Sequence, residues 1–240
     1  MNIYLSVEIS ARELDSKILL ATLAAARGHH VVVSDLESIL EGVSQGVLTP
    51  GIFHTKSLTP AEHKITLHKL LVKKGFKITS NDEEAGVEQD GFDWFVKNRF
   101  SDQMIDLTAA IFTWGSQDTK SLKKFYPKYS SKIHMTGSPR VDLWKPFFSN
   151  YWSVPKGAPL KPFLLVSSNM GPSNGKGFFE RYKMKQKLGY YQRGPEALER
   201  DFSQTAESFL KTYSFINALR ILSEKKNDND ILLRPHPNEN

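Results

Sequence analysis

Ile3-Tyr4-Leu5-Ser6-Val7 opens the chain and is soon followed by Ser10-Ala11-Arg12-Glu13. The first stretch has the apolar character of a buried strand, and the Ser-x-x-Glu spacing of the second predicts a capping box at a helix start. Gly28 then predicts the end of that helix, and Val31-Val32-Val33 predicts a second buried strand. Strand, helix and strand in this order indicate the first unit of an α/β fold.

The first predicted helix has an apolar stripe at helical spacing, formed by Leu14, Ile18, Ala21 and Ala25. Such a stripe normally faces the core. We therefore expect these four side chains to be buried against the sheet.

The alternation of strands and helices continues through the first half of the chain. Asp35 predicts the cap of a second helix, and Thr59-Pro60-Ala61-Glu62 predicts another capping box. Further short apolar runs predict strands at Gly51-Ile52-Phe53, Phe76-Lys77-Ile78-Thr79, Ala109 to Thr113 and Ile133 to Thr136. Six strands of this kind predict a parallel, doubly wound sheet, whose ligands bind beyond the carboxyl ends of the strands.

The segment after the first strand lacks the G-x-G-x-x-G pattern of dinucleotide-binding proteins. A nicotinamide or flavin cofactor is therefore not expected, and no cofactor is predicted. Because Glu8, Ser10 and Arg12 follow a strand, we predict that they line the ligand cleft. The alternative interpretation is that Arg12 is an ordinary charged residue on the helix surface.

A proline-rich stretch from Pro155 to Pro162 marks a predicted domain boundary. It divides the chain into a first domain of residues 1–155 and a second of residues 156–240. Phe163-Leu164-Leu165-Val166-Ser167 predicts a new strand, followed by a helix of about Glu196 to Glu224 and a last strand before Arg234. Two strands are too few for a closed core, so we expect a second Rossmann-like domain that is truncated.

The composition excludes several classes of site. The chain contains no cysteine, which rules out disulfides, thiolate zinc sites and cysteine nucleophiles. His54, His63 and His68 lack the H-E-x-x-H spacing, so no metal site is predicted. No long apolar run or signal peptide is evident, and a cytoplasmic protein is expected.

The net charge of +6 suits an anionic ligand, but most lysines lie singly or in short pairs, as on solvated helix faces. The segment from Lys176 to Arg193 mixes basic and aromatic residues without an RNA-binding signature. Nucleic acid is therefore not a predicted partner, and binding through this segment is kept as a further alternative that a steep loss of affinity with salt would identify. Gly171 to Gly177 lacks the spacing of a nucleoside-triphosphate loop.

Two polar loops follow predicted strands in different domains. Asp82-Glu83-Glu84-Ala85-Gly86 is acidic, and Arg234-Pro235-His236-Pro237-Asn238-Glu239 carries an arginine, a histidine and a carboxylate. Each could be an ordinary turn, but their shared position at strand ends predicts that they face one cleft. Gly137, Arg140 and Asn169 also follow strands and are predicted to line it.

This combination resembles the GT-B glycosyltransferases that use CMP-activated sugars, namely bacterial sialyltransferases and Kdo transferases. Their D/E-D/E-G motif is similar to Asp82–Gly86, which has one extra residue before the glycine, and their HP motif matches His236-Pro237. The fuller pattern resembles bacterial surface carbohydrate biosynthesis proteins and comprises Arg12-Glu13-Leu14, Trp114-Gly115, Gly137 to Asp142 and Arg234 to Glu239.

The resemblance implies a transferase that builds a surface polysaccharide or lipopolysaccharide from CMP-Kdo or a related donor. Asp82 or Glu83 would take the proton from the acceptor hydroxyl, and His236 would donate to the departing CMP phosphate. Arg234 would clamp the phosphate or the sugar carboxylate, while Pro237 and Glu239 would complete the nucleotide-sugar site. A glycan or lipid-linked glycan acceptor would bring peripheral contact with the inner face of the membrane. A chain that ends at Asn240 would lack part of the nucleotide pocket, and we would then expect it to be inactive.

Two other functions remain open at the level of the sequence. One is a GT-B relative such as a UDP-sugar epimerase or a glycerophosphotransferase, because the turn at Gly137 to Arg140 resembles theirs. The other is a noncatalytic subunit that binds a nucleotide or a polysaccharide. Binding of CMP instead of UDP would distinguish the glycosyltransferase from the first alternative, and turnover would distinguish it from the second.

Overall fold

The computed structural model describes residues 1–86, 91–153, 157, 161–168, 178–187, 191, 195–225 and 230–234. The chain forms two compact units, Met1–Ser153 (unit 1) and Val154–Asn240 (unit 2). The boundary predicted from the sequence follows residue 155. The two units are described separately below.

Unit 1 is built on a six-stranded parallel sheet with the strand order β2-β1-β3-β4-β5-β6. The strands are β1 (Asn2–Ser6), β2 (His30–Ser34), β3 (Ile52–Thr55), β4 (Lys77–Asn81), β5 (Thr108–Thr113) and β6 (Ile133–Met135). The parallel six-stranded sheet predicted from the sequence is thus confirmed, and the architecture is consistent with a Rossmann-like fold.

Helices connect the strands of unit 1. They are α1 (Ser10–Ala25), α2 (Leu36–Ser44), α3 (Glu62–Lys73), α4 (Phe92–Arg99), α5 (Asp102–Asp106), α6 (Ser116–Phe125) and the single turn α7 (Pro139–Asp142). Short 3-10 segments lie at Pro127–Lys132 and Pro146–Tyr151.

The apolar core of unit 1 lies on one face of the sheet. Tyr4, Phe53 and Ile78 pack there against residues of α2 and α3. Ile111 and Ile133 pack on the same face against α4, α5 and α6. Because side chains alternate along a strand, one set of alternate positions forms this core, and the intervening positions point to the opposite face.

The opposite face carries α1, and the predicted orientation of this helix is wrong. Leu14 and Ile18 are 39% and 45% exposed, whereas Glu13, Ser16 and Lys17 are buried. The predicted helix is confirmed, but its buried residues are polar. The reason lies outside the helix: charged groups at the strand ends pair with Glu13 and Lys17.

Two predicted capping boxes are also wrong. The N-cap of α1 is Ile9, and the Glu13 carboxylate accepts from the Glu8 amide instead of pairing reciprocally with Ser10. α3 begins at Glu62 after an Ala61 N-cap, while the Thr59 hydroxyl pairs with Ser57. The predicted Asp35 cap is confirmed, since its side chain accepts from the Ser38 amide at 2.8 Å.

Unit 2 contains a parallel pair, β7 (Phe163–Ser167) and β8 (Asp230–Arg234), with α8 (Phe178–Lys187) and the long α9 (Pro195–Glu224). Both strands and the long helix agree with the sequence prediction. Leu164, Leu165 and Leu233 stay largely exposed, because two strands alone bury few side chains. In the part of the chain that the structure describes, every helix is too short or too polar to cross a membrane.

Candidate functional site

The candidate site lies at the carboxyl ends of β1, β3 and β4. β1 and β3 are neighbours, and the chain leaves them toward opposite sides, because β1 leads through α1 to β2 while β3 leads through α3 to β4. Such a switch point leaves a crevice beyond the strand ends, where ligands bind in open α/β sheets. Glu8, Lys56 and Asp82 come directly after or close behind these three strands.

Glu13 is the buried acid of α1 in this crevice. Its carboxylate accepts from the Glu8 amide at 2.9 Å and from Arg12 Nη2 at 3.0 Å, and Lys56 Nζ lies 3.5 Å away. Burial opposes ionisation, but the Glu8 amide, Arg12 and Lys56 together hold the pKa of Glu13 below its ordinary value. Glu13 is therefore ionised and ties the start of α1 to the end of β3.

Lys17 and Glu83 form a buried ion pair across the same crevice. Lys17 Nζ lies 2.7 Å from Glu83 Oε1, and the two side chains are 1% and 5% exposed. The Glu83 amide also donates to the Lys56 carbonyl at 3.0 Å. Glu83 Oε2 is buried and has no hydrogen-bond partner within the part of the chain that the structure describes.

Asp82 is held by Arg99 in a two-point contact. Arg99 Nε donates to Asp82 Oδ2 at 2.8 Å, Arg99 Nη2 donates to Oδ1 at 3.0 Å, and the Glu84 amide donates to Oδ1 at 2.9 Å. Burial raises the pKa of Asp82 despite the opposing effect of Arg99. Both oxygens of this carboxylate are thus occupied by donors.

Two carboxylates at the rim of the cluster face solvent. Glu8 and Glu84 have side chains that are 43% and 48% exposed. Lys56 Nζ lies 2.6 Å from Glu8, while Arg99 Nη1 and Arg12 Nη2 lie 2.8 Å and 3.7 Å from Glu84. These two carboxylates are therefore accessible from solvent, unlike those of Glu13, Asp82 and Glu83.

A second group of residues surrounds the indole of Trp114, at the carboxyl end of β5. Trp114 Nε1 donates to Asn81 Oδ1 at 2.8 Å, and Asn81 Nδ2 donates to the Gly137 carbonyl at 2.9 Å. The Arg140 guanidinium lies 5.1 Å from the centre of the Trp114 ring, which is cation–π distance. Gly86 packs on the same indole, because a Cβ there would lie 2.9 Å from the ring.

The structure brings most of the predicted residues of unit 1 together. Glu8, Arg12, Asp82 and Glu83 belong to the ionic cluster, and Arg12 contacts Glu84 of the acidic loop. Gly137 and Arg140 belong to the Trp114 group. Ser10, the exposed first residue of α1, makes no cap bond there.

The predicted residues of unit 2 are described only in part. Arg234 is the exposed last residue of β8. Asn169, His236, Pro237 and Glu239 lie outside the described residues.

Sequence reasoning missed Lys17, Lys56 and Arg99 as members of the cluster, and it placed Glu84 in the acidic loop without giving it a role. Lys17 lies four residues after Glu13, the spacing of a helical ion pair, but in the structure it pairs with Glu83 instead. Lys56 directly follows β3, the same placement that singled out Glu8. Arg99 ends α4 and carries no local signal, since its partner Asp82 lies on another element.

Gly86→Ala tests the packing of the acidic loop on Trp114. Gly86 has φ +90°, so alanine there meets both backbone strain and the indole. We expect a loss of about 2–3 kcal/mol in unfolding free energy, measured by urea denaturation. Gly28→Ala is the matched control, because φ is +80° but a Cβ meets no atom of the described residues within 4 Å; equal losses for the two variants would contradict the packing contact.

Within the described residues, no group of three His, Asp or Glu side chains is arranged to hold a metal ion. Comparison with protein-family models, with curated proteins and with solved structures gives no significant match for this chain.

Proposed function

We propose that the chain is a glycosyltransferase of surface polysaccharide or lipopolysaccharide biosynthesis, with a GT-B fold. It would transfer Kdo or a related keto sugar from a CMP-sugar to a glycan or lipid-linked glycan acceptor, on the cytoplasmic side of the membrane. The observation that carries the proposal is the meeting of separate motifs at one sheet edge: Arg12 contacts Glu84, and Gly86 and Arg140 both contact Trp114.

The acceptor side of the reaction requires a carboxylate that a sugar hydroxyl can reach. The resemblance implies this role for Asp82 or Glu83, which are both buried and paired with cations. Glu84 belongs to the same loop and also contacts Arg99 and Arg12, but its side chain is half exposed. We therefore assign the base to Glu84 and give Asp82 and Glu83 the positioning of the loop.

The donor side would be supplied by unit 2. Arg234 ends β8, where its guanidinium would bind the phosphate or the sugar carboxylate in a bidentate contact. His236 follows it in the sequence and would donate to the phosphate as CMP departs. This scheme uses the protein's own side chains and needs no cofactor or metal.

The test is acceptor-dependent release of CMP from CMP-Kdo and from CMP-sialic acid by the full-length protein, with a mixed lipid-oligosaccharide acceptor. Glu84→Gln and His236→Ala are expected to lower turnover by about 10²- to 10⁴-fold without changing the melting temperature. Asp82→Asn and Glu83→Gln are expected to lower the melting temperature as well as turnover, because each breaks a buried ion pair.

The outcomes separate the competing assignments. Full activity in Glu84→Gln, with loss of activity in a stably folded Asp82→Asn or Glu83→Gln, would return the base to the residues that the sequence indicated. Absence of both CMP release and CMP binding in the intact protein would overturn the CMP-sugar proposal. Assays with UDP-sugars would then test the epimerase and glycerophosphotransferase alternatives.

A noncatalytic binding subunit is the second candidate. The complete pairing of Asp82 and the burial of Glu83 favour it, because these contacts suit a structural role. It predicts that CMP binding survives Glu84→Gln and that no acceptor or donor supports turnover.

A further inference from the structure

Arg140 differs from the arginines of the ionic cluster in how its charge is balanced. Arg12 and Arg99 each contact carboxylates. Arg140 forms no ion pair with any residue that the structure describes. Its guanidinium lies instead against the Trp114 ring, 5.1 Å from the ring centre. A ring face attracts a cation without neutralising it, so the charge of Arg140 is left for another partner.

The acidic residues on the neighbouring helices are already engaged. Asp118 of α6 accepts from the Trp114 amide at 2.7 Å. Asp142 of α7 pairs with Lys145 Nζ at 2.6 Å. Neither carboxylate therefore serves as the counter-ion of Arg140.

The hydrogen-bond donors of Arg140 are accessible at one end only. Its Nε is buried and has no partner among the described residues, so a ligand does not reach this atom. Nη1 and Nη2 make no hydrogen bond to a described residue either. Unlike Nε, they are accessible to solvent, and the residue as a whole is partly exposed. A ligand therefore meets the end of the guanidinium that carries Nη1 and Nη2.

Trp114 is a fixed support for this guanidinium. Its Nε1 donates to Asn81 Oδ1 at 2.8 Å, and Asn81 Nδ2 donates to the Gly137 carbonyl at 2.9 Å. Gly137 precedes Arg140 by three residues, so the support is tied back to the turn that carries the arginine. Gly86 packs on the same indole. The guanidinium is thus positioned before a ligand arrives, which reduces the conformational entropy lost on binding.

A carboxylate or a phosphate fits the accessible end of this guanidinium. Nη1 and Nη2 present two parallel N–H groups, and each of these anions offers two oxygens to them. Hydrogen bonds between ionised groups are also stronger than those between neutral groups. A hydroxyl offers one oxygen and no charge, so it would use only part of this arrangement.

We propose that Arg140, supported by the Trp114 ring, binds the carboxylate or phosphate group of a small-molecule ligand through Nη1 and Nη2. Trp114 and Asn81 act as positioning residues, since they hold the guanidinium without touching the anion. The inference does not rest on the glycosyltransferase proposal, because the anion site requires neither a base at Glu84 nor CMP. Binding at this site and turnover in the CMP-release assay are measured separately, so either can fail alone.

The first experiment compares glucose 6-phosphate, glucuronate and glucose, which share one sugar ring and differ in charge. Each is titrated into the full-length protein, and NMR shifts of the Trp114 indole and the Gly137 amide report binding at this site. We expect saturable shifts with at least one of the two anions and none with glucose. The anion that binds more tightly identifies a phosphate or a carboxylate as the ligand group. Absence of saturable shifts with both anions, or equal shifts with glucose, would overturn the proposal.

The second experiment removes the guanidinium. Arg140→Gln should weaken the bound anion at least about tenfold, because the charge-assisted hydrogen bonds are lost. Arg140→Lys should weaken it about three- to tenfold, because an ammonium keeps the charge without the paired N–H groups. Arg27→Gln is the matched control, because it removes the same charge from an exposed residue that follows α1, and it should leave the affinity unchanged. Unchanged binding in Arg140→Gln, or equal weakening by Arg140→Gln and Arg27→Gln, would overturn the proposal.

The third experiment tests the ring, with the Gly137 amide as the reporter of binding. Trp114→Phe keeps an aromatic face, whereas Trp114→Leu removes it, so only the leucine variant should weaken the anion by about three- to tenfold. Equal affinity in the two variants would overturn the role assigned to Trp114. If Trp114→Leu does not fold, the comparison of the Arg140 and Arg27 variants decides the question alone.

Discussion

Lys17→Met is expected to lower the free energy of unfolding by about 3–5 kcal/mol, because it leaves the Glu83 carboxylate buried without its cation. The ion pair is short, at 2.7 Å, and almost fully removed from solvent. Among the described residues Glu83 Oε2 has no hydrogen-bond partner, so loss of Lys17 would remove the side-chain donor that these residues supply to this carboxylate. Urea denaturation at pH 7 measures the loss.

The double variant Lys17→Met/Glu83→Met provides the decisive comparison. Replacing both charges by apolar groups removes the unpaired carboxylate, so we expect it to recover most of the stability lost in Lys17→Met. Lys128→Met is the surface control, because the Lys128–Asp102 pair has the same 2.7 Å separation but side chains that are 62% and 61% exposed. That variant should change stability by less than about 1 kcal/mol, and an equal effect of Lys17→Met would contradict the buried-pair interpretation.

Acid is expected to destabilise unit 1 between about pH 6.5 and pH 4 through His54 and His68. Burial is the main reason that the pKa of His54 falls to about 3 and the pKa of His68 to about 4. The unfolded chain, with histidine pKa values near 6.5, then binds protons more readily than the folded chain. The stabilising contribution of the neutral rings is therefore complete above pH 6.5 and is lost as the pH falls.

The size of the effect follows from linkage, at about 1.4 kcal/mol per pH unit for each histidine that protonates only on unfolding. Between pH 6.5 and pH 4.5, His54 should account for about 2–3 kcal/mol of lost stability. Asp82 acts in the opposite direction, because burial raises its pKa and its protonation favours the folded state.

The comparison of variants isolates the histidine. Urea denaturation at pH 7 and pH 4.5 should show a smaller difference for His54→Leu than for the unchanged chain, by about 2–3 kcal/mol. His63→Leu is the control, because His63 lies exposed on α3. A pH dependence that is the same in both variants would show that His54 titrates alike in the folded and unfolded states.

The sequence located residues of the candidate site only where they directly follow a predicted strand. Glu8, Asp82 and Glu83 were found because they follow strands, and they lie together at one edge of the sheet. Their partners could not be assigned, since Lys17 and Glu83 are 66 residues apart in sequence. Arg99 was missed for the same reason, as it contacts Asp82 from the end of α4.

The sequence by itself determined the order of strands and helices, the parallel six-stranded sheet and the Asp35 cap. These features depend on local periodicity and on contacts within a few residues, which a single segment contains. Only the tertiary structure decided which face of α1 is buried. The helical period marks two faces, and the charged groups at the ends of β3 and β4 turn the face with Glu13 and Lys17 toward the sheet, because these two side chains pair there with Lys56 and Glu83.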